Sequence, residues 1–258
     1  LTINGFTFDF SDKSGDIITT AKINHSNNSR YVYAHNITIK DCVFIGNSDN
    51  VVAVRADAQG GHYNFLLKGC TGTNLHSLAQ LTSVTGVKVE DCNVINAAEG
   101  GLNLNSSRDI EIKNLTVEAS MIGNSYGVRA GQGSGTVNES NTMTISDSNL
   151  EAKYPVWLRG DAPGTVIITN STLTASEDGE RIKNDAEGVN VLEDPTVYNE
   201  DLETYYMTIQ DAIAAYENAE NGDYTIIIQD GTYNVDSIVI NQQNDKPLTI
   251  KAENDLKA

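Results

Sequence analysis

An eight-residue pattern recurs seven times along the first two thirds of the chain, and it restricts the fold more than any other feature. It reads LTINGFTF from Leu1, ITIKDCVF from Ile37, FLLKGCTG from Phe65, VKVEDCNV from Val87, IEIKNLTV from Ile110, MTISDSNL from Met143 and VIITNSTL from Val166. The steps between starts are 36, 28, 22, 23, 33 and 23 residues. The floor near 22 is one coil, and the excess in longer steps is assigned to loops such as 11–36 and 131–141. Spacing of this length marks a solenoid, in which each coil buries its apolar face against its neighbours.

Positions one and three of the octad are apolar, which is strand alternation with one face inward. Position five is Gly5, Asp41, Gly69, Asp91, Asn114, Asp147 and Asn170. These residue types tolerate a left-handed backbone, so a tight bend is expected there in every coil. Position six holds all three cysteines, Cys42, Cys70 and Cys92, on successive coils. In-register strands lie roughly 4.8 Å apart, and a thiol in such a column behaves as a small buried hydrophobe. An interior thiol stack is expected, with a disulfide between neighbours as the alternative.

A second strand follows in each coil, at 51–55, 102–105, 127–129, 156–159 and 181–183. Its alternation selects a candidate site. With Val156 and Leu158 inward, Trp157 and Arg159 face outward; the same parity turns Arg55, Arg129 and Lys183 outward. Arg129, Arg159 and Lys183 are expected as a column on neighbouring coils, with Arg55 further along and Asn105 between. Like charges at strand spacing repel unless acids or an anionic ligand compensate. The only tryptophan beside cationic side chains suits an acidic sugar, its ring stacking while guanidinium groups grip a carboxylate. The competing expectation pairs these cations with loop carboxylates such as Asp57 and Asp161.

The chain carries 17 basic and 35 acidic side chains, a formal charge of −18. That balance excludes neutralisation of a phosphate backbone, hence nucleic acid as a partner, and disfavours anionic lipid. It is compatible with bound Ca²⁺, although His25, His35, His62 and His76 show no metal-ligand spacing. No apolar run approaches a membrane span, so no membrane insertion is expected. A first residue Leu1 and no signal peptide suggest a mature or excised piece of a larger protein.

Residues 184–207 are acidic and irregular, with Pro195, and read as a linker after coils 1–183. Residues 208–258 then begin with a helix. Thr208 is its N-cap with Asp211 as capping-box partner, and Ile209, Ala212, Ile213 and Tyr216 form one apolar face. Strands follow, the last being Leu248-Thr249-Ile250-Lys251, which matches the opening Leu1-Thr2-Ile3-Asn4. The octads together with this helix and its strands resemble the pectin-lyase-like right-handed parallel β-helix superfamily, found among secreted and cell-surface repeat proteins. The resemblance implies an all-β parallel solenoid of about seven to nine coils with one short amphipathic helix near the C-terminus. In that superfamily such a helix plugs the N-terminal end of the coils, whereas here it follows them.

Polygalacturonase-like members carry clustered aspartates, a Gly-His-Gly element and an Arg-Ile-Lys motif. This chain has Arg181-Ile182-Lys183 but no Gly-His-Gly, and Gly60-Gly61-His62 is no substitute. No aspartate pair precedes it to serve as general acid and base. Calcium-dependent pectate-lyase-like members need a carboxylate cluster with a basic residue, which Asp57 or Asp161 near Arg55 and Arg159 only mimic. Arg159-Gly160-Asp161 spells an adhesive tripeptide but reads as drift of the repeat. The glycosylation sequons, among them those at Asn27, Asn36, Asn105, Asn114, Asn138 and Asn170, arise from an Asn- and Thr-rich composition.

Two functions follow. The first is an extracellular structural or adhesive solenoid, joining neighbouring copies or adjacent repeats through Leu1 and Ile3 at one end and Ile209, Ala212, Ile213, Tyr216, Leu248 and Ile250 at the other. The second is a polysaccharide-binding or polysaccharide-degrading module, a lyase or glycoside hydrolase acting on acidic glycans through Arg55, Arg129, Trp157, Arg159 and Lys183.

Overall fold

The computed structural model describes the chain except residues 21–22, 26–27, 31–34, 48–49, 134, 220–223, 231–232, 234–236, 241–246 and 255–258, together with the side chains of 23–25, 28–30 and 57–62. The chain forms two compact units, Leu1–Val191 and Leu192–Ala258.

The first unit is a parallel β-solenoid, and the fold has about eight turns. The apolar octad positions stack into continuous columns. Ile3, Ile39, Leu67, Val89, Ile112, Ile145 and Ile168 lie in register on one face. Phe8, Phe44, Gly72, Val94, Val117, Leu150 and Leu173 do so just past the bend. Ile18, Val54, Ala79, Leu102, Val128, Val156 and Ile182 form the column of the second strand. These columns meet in one core, and each fully buried Val, Leu or Ile there stabilises by about 1.5–3 kcal/mol.

All seven fifth positions bend as their residue types require: φ is +72° at Gly5, +52° at Asp41, +62° at Gly69, +54° at Asp91, +51° at Asn114, +52° at Asp147 and +46° at Asn170. The bends are tied coil to coil. Asn114 Nδ2 donates to Asp91 Oδ1 at 2.8 Å and Asn170 Nδ2 to Asp147 Oδ1 at 2.7 Å. The sequence reading did not single out two further left-handed series: Asn36, Asn64, Gly86 and Asp109 directly before the octads, and Asn74 and Asn96 after them. Asn64 Nδ2 donates to Asn36 Oδ1 at 2.9 Å, and Asn96 Nδ2 to Asn74 Oδ1 at 2.6 Å. The thiols of Cys42, Cys70 and Cys92 are free and buried among these coils. The Cys92 thiol reaches the Glu90 carbonyl at 3.2 Å, and burial pushes the Cys42 thiol up.

Three expectations need correction. Residues 11–36 are not all loop, because Gly15–Thr20 is a second-face strand paired with Val51–Lys68; the insertion proper includes a hairpin, Ile23–His25 with Asn28–Arg30. The second strands at 51–55, 102–105, 127–129, 156–159 and 181–183 leave out the coil starting at Phe65, and the structure supplies it, since Ser77–Ala97 runs through that face before continuing as the next octad. Finally, 184–207 is not an irregular linker but contains strands Asn190–Glu193, Val197–Asn199 and Thr204–Tyr206. Strands of three or four residues show too few alternations to stand out against a run of exposed acids.

In the second unit Thr204–Tyr206, Val197–Asn199, Tyr224–Ile228 and Leu248–Ala252 form a four-stranded sheet in that order. The helix Ile209–Asn218 buries Ile209, Ala212, Ile213 and Tyr216, and the first three share a cluster with Val197 and Ile226. The Tyr216 ring meets Tyr224 edge-on, centroids 5.3 Å apart. The Asp211 N–H donates to Thr208 Oγ1 at 3.1 Å, while the Thr208 hydroxyl donates to the Asp211 carboxylate at 2.6 Å.

Candidate functional site

Register on the second face decides which side chains meet. The outward column runs Thr19, Arg55, Gln80, Asn103, Arg129, Trp157, Lys183. Arg129 therefore lies opposite Trp157, not Arg159, which follows the end of strand Tyr154–Leu158. The asparagine between Arg55 and Arg129 is Asn103; Asn105 pairs with Thr82 instead. A two-residue slip preserves inward–outward parity, so alternation alone did not expose it.

Trp157 is not an open platform. It projects from the coil but is only 7% exposed, because three cations surround it. Lys183 Nζ lies 4.7 Å, Arg159 Cζ 5.0 Å and Arg129 Cζ 5.6 Å from its ring centroid. Its indole N–H donates to Asp185 Oδ2 at 2.7 Å. Two tyrosines complete the cluster, opposed to each other three residues before Arg129 and Trp157. Arg129 Cζ is 4.3 Å from the Tyr126 ring and Lys183 Nζ 4.3 Å from the Tyr154 ring. Cation–π contacts contribute about 0.5–1 kcal/mol each when exposed and more when desolvated. The sequence reading missed both tyrosines, although Tyr126-Gly-Val-Arg129 and Tyr154-Pro-Val-Trp157 carry the same Tyr-x-Val spacing.

Carboxylates do compensate these cations, and among the described residues they are Asp16, Glu99 and Asp185 rather than Asp161. Arg55 Nε bonds Asp16 Oδ2 at 2.7 Å. Arg129, its side chain 14% exposed, meets Glu99 Oε1 at 3.2 Å and donates to Asn103 Oδ1 at 3.3 Å. Lys183 Nζ is 3.8 Å from Asp185. Asp161 is occupied otherwise: it accepts the Ser106 hydroxyl and the Gln132 N–H. The Asp57 side chain and the Gly60-Gly61-His62 side chains lie outside the described residues. Among the described residues Arg159 makes no ion pair.

Glu99 is the hub of the neighbouring coil. His76 Nε2 lies 2.8 Å from Glu99 Oε2, and the Tyr126 hydroxyl donates to the same oxygen at 3.3 Å. The hydrogen bond with His76, and then the Arg129 charge, hold the Glu99 carboxyl below the usual range despite partial burial. Burial pushes the Tyr126 phenol up. A glycosidase acid needs the opposite, a carboxyl raised towards neutrality, so Glu99 does not suit that role. Two grooves lie on the first unit, and only the second shares residues with the cluster. One of about 540 Å³ is lined by Ser106, Arg108, Asn138 and Asp161. The other, about 650 Å³, is lined by His76, Glu99, Ser120 and Ile122.

The residues expected at the ends fall into separate units. Leu1 is exposed and Ile3 half-buried in the first coil, whereas Leu248 packs on the second unit's core and Ile250 is exposed. No helix among the described residues is long and apolar enough to cross a membrane. Comparison with family models, curated proteins and solved structures finds no match to this chain.

Proposed function

We propose that this chain is a structural or adhesive solenoid of an extracellular surface protein or filament, of the pectin-lyase-like kind. It joins further coils, from neighbouring copies or from adjacent repeats. The observation that carries the reading is the first coil. Thr2–Asn4 and Thr7–Asp9 each pair with one strand among the described residues, and Leu1 and Phe6 are 69% and 57% exposed. An unpaired strand edge beside apolar side chains is a template for another strand. The octads and the coil-to-coil Asn and Asp ladders support the same reading, because they spend the surface on rigidity. Size-exclusion chromatography with light scattering, joined to negative-stain imaging, tests it. Self-association that Phe6→Asp weakens is expected, and a monomer at all concentrations would count against assembly by separate chains.

A second reading, an acidic-glycan module, is favoured by Arg159. It lies against Trp157 without an ion pair among the described residues, so the cluster of Arg129, Arg159 and Lys183 against Glu99 and Asp185 keeps one excess positive charge. Binding of pectin, alginate or a glycosaminoglycan that Arg159→Ala abolishes would support it. Release of unsaturated uronides or reducing sugar would add catalysis.

A further inference from the structure

The second unit repeats the register of the solenoid. Tyr224–Ile228 and Leu248–Ala252 pair in parallel, with Tyr224 opposite Leu248 and Ile228 opposite Ala252. The 24-residue offset matches the 22 and 23 residues that separate Phe65 from Val87 and Val87 from Ile110. Parallel neighbours one coil apart need a crossover of that length, whereas a hairpin needs only a short turn. Val197–Asn199 covers one edge of Tyr224–Ile228 and Leu248–Ala252 the other, which makes Leu248–Ala252 the outer strand of its sheet. Ile250 on it is 38% exposed, as are Ile238, Val239 and Ile240 at 45%, 51% and 44%.

We propose that Leu192–Ala258 is the capped opening of a second solenoid, and that Leu248–Ala252 takes the first coil of a second copy as its next rung. Thr249 then lies opposite Thr2, Ile250 opposite Ile3 and Lys251 opposite Asn4. The first unit already contains this contact chemistry. Thr2, Ile3 and Asn4 stack in parallel on Thr38, Ile39 and Lys40, and residues 249–251 repeat that Thr-Ile-Lys triplet. Docking on the other edge of Thr2–Asn4 extends the isoleucine column as Ile250, Ile3, Ile39 and covers Leu1. It also satisfies backbone groups that both outer strands leave open. The contact joins different surfaces of the two copies, so it propagates head to tail rather than closing a dimer. Each copy carries −18, so the association is expected to strengthen with salt.

This pairing rests on the assembly reading above, and the test separates the two. Thr2→Cys and Thr249→Cys proteins, mixed under copper-catalysed air oxidation, are expected to give a covalent dimer that neither gives alone. Directly opposed strand residues fall within disulfide reach, and the native thiols are buried. Ile250→Asp is expected to weaken association at least tenfold with an unchanged circular dichroism spectrum, and Ile3→Asp supplies the same loss from the other side. Association without the mixed cross-link overturns this pairing and leaves the assembly reading standing. A monomer at every concentration and salt overturns both this pairing and assembly by separate chains.

Discussion

Replacing Trp157 by alanine separates a structural cluster from a ligand platform. The ring is 7% exposed, it touches Lys183, Arg159 and Arg129, and its N–H is bonded to Asp185. Truncating a buried Trp to Ala costs about 3–5 kcal/mol. Trp157 stands on the outer face, where water can fill part of the space, so the lower end of that range, about 3 kcal/mol, is expected. Trp157→Phe keeps the ring but deletes the hydrogen bond to a carboxylate, and about 1.5 kcal/mol is expected from that loss. A double-mutant cycle of Trp157→Leu with Lys183→Met tests the ring–ammonium contact, for which a coupling of about 0.5–1 kcal/mol is expected. Urea denaturation followed by far-ultraviolet circular dichroism is the suitable assay, because the substitution removes the sole tryptophan fluorophore. In a solenoid stability is a sum over neighbouring coils, so the loss should appear in the coils holding Arg129, Trp157 and Lys183. If Trp157→Ala stays within about 1 kcal/mol of the parent, the cluster does not brace these coils, and the glycan reading gains weight.

The bend column gives a second test. Asn114→Ala is expected to cost about 1–2 kcal/mol, from an alanine held at φ +51° and the lost bond to Asp91; Asn114→Gly, which relieves the backbone, should cost less in the same urea series. For Glu99 the sign follows from its lowered value: an ionised, bonded carboxyl stabilises the fold above about pH 4.3, and that contribution fades as pH falls through the lowered value. Glu99→Gln should therefore flatten the acid side of the stability profile, and an unchanged acid side would contradict the hub. The three thiols should resist a thiol reagent in the native protein and all react once it is unfolded. Thr208→Ala, which removes the N-cap oxygen, should cost the helix about 1 kcal/mol, seen as earlier melting of the second unit.

The candidate site was legible in part. Parity placed Arg55, Arg129, Trp157 and Lys183 on one outer face, and the structure puts them in one column. Parity also grouped Arg159 with them, but that residue lies beyond its strand. The partners Asp16, Glu99 and Asp185 were not legible. They come from positions 39, 30 and 2 residues away from the cations they meet, and most of that distance is folded through coils. Trp157 looked like a platform because an outward side chain is normally wet. Its burial comes from long cationic side chains that fold across the ring while their stems lie along apolar surface.

The amino-acid order alone was enough for the solenoid, the seven left-handed bends, the interior thiols and the apolar face of the helix. Each depends on a local rule: alternation sets which side is inward, Gly, Asn and Asp admit positive φ, and a 3.6-residue period makes one helical stripe. Register, ion-pair partners and the division at Val191 were decided only in three dimensions. A shift of two residues between coils leaves every local rule satisfied, and only the packing of whole columns against one another removes that degeneracy.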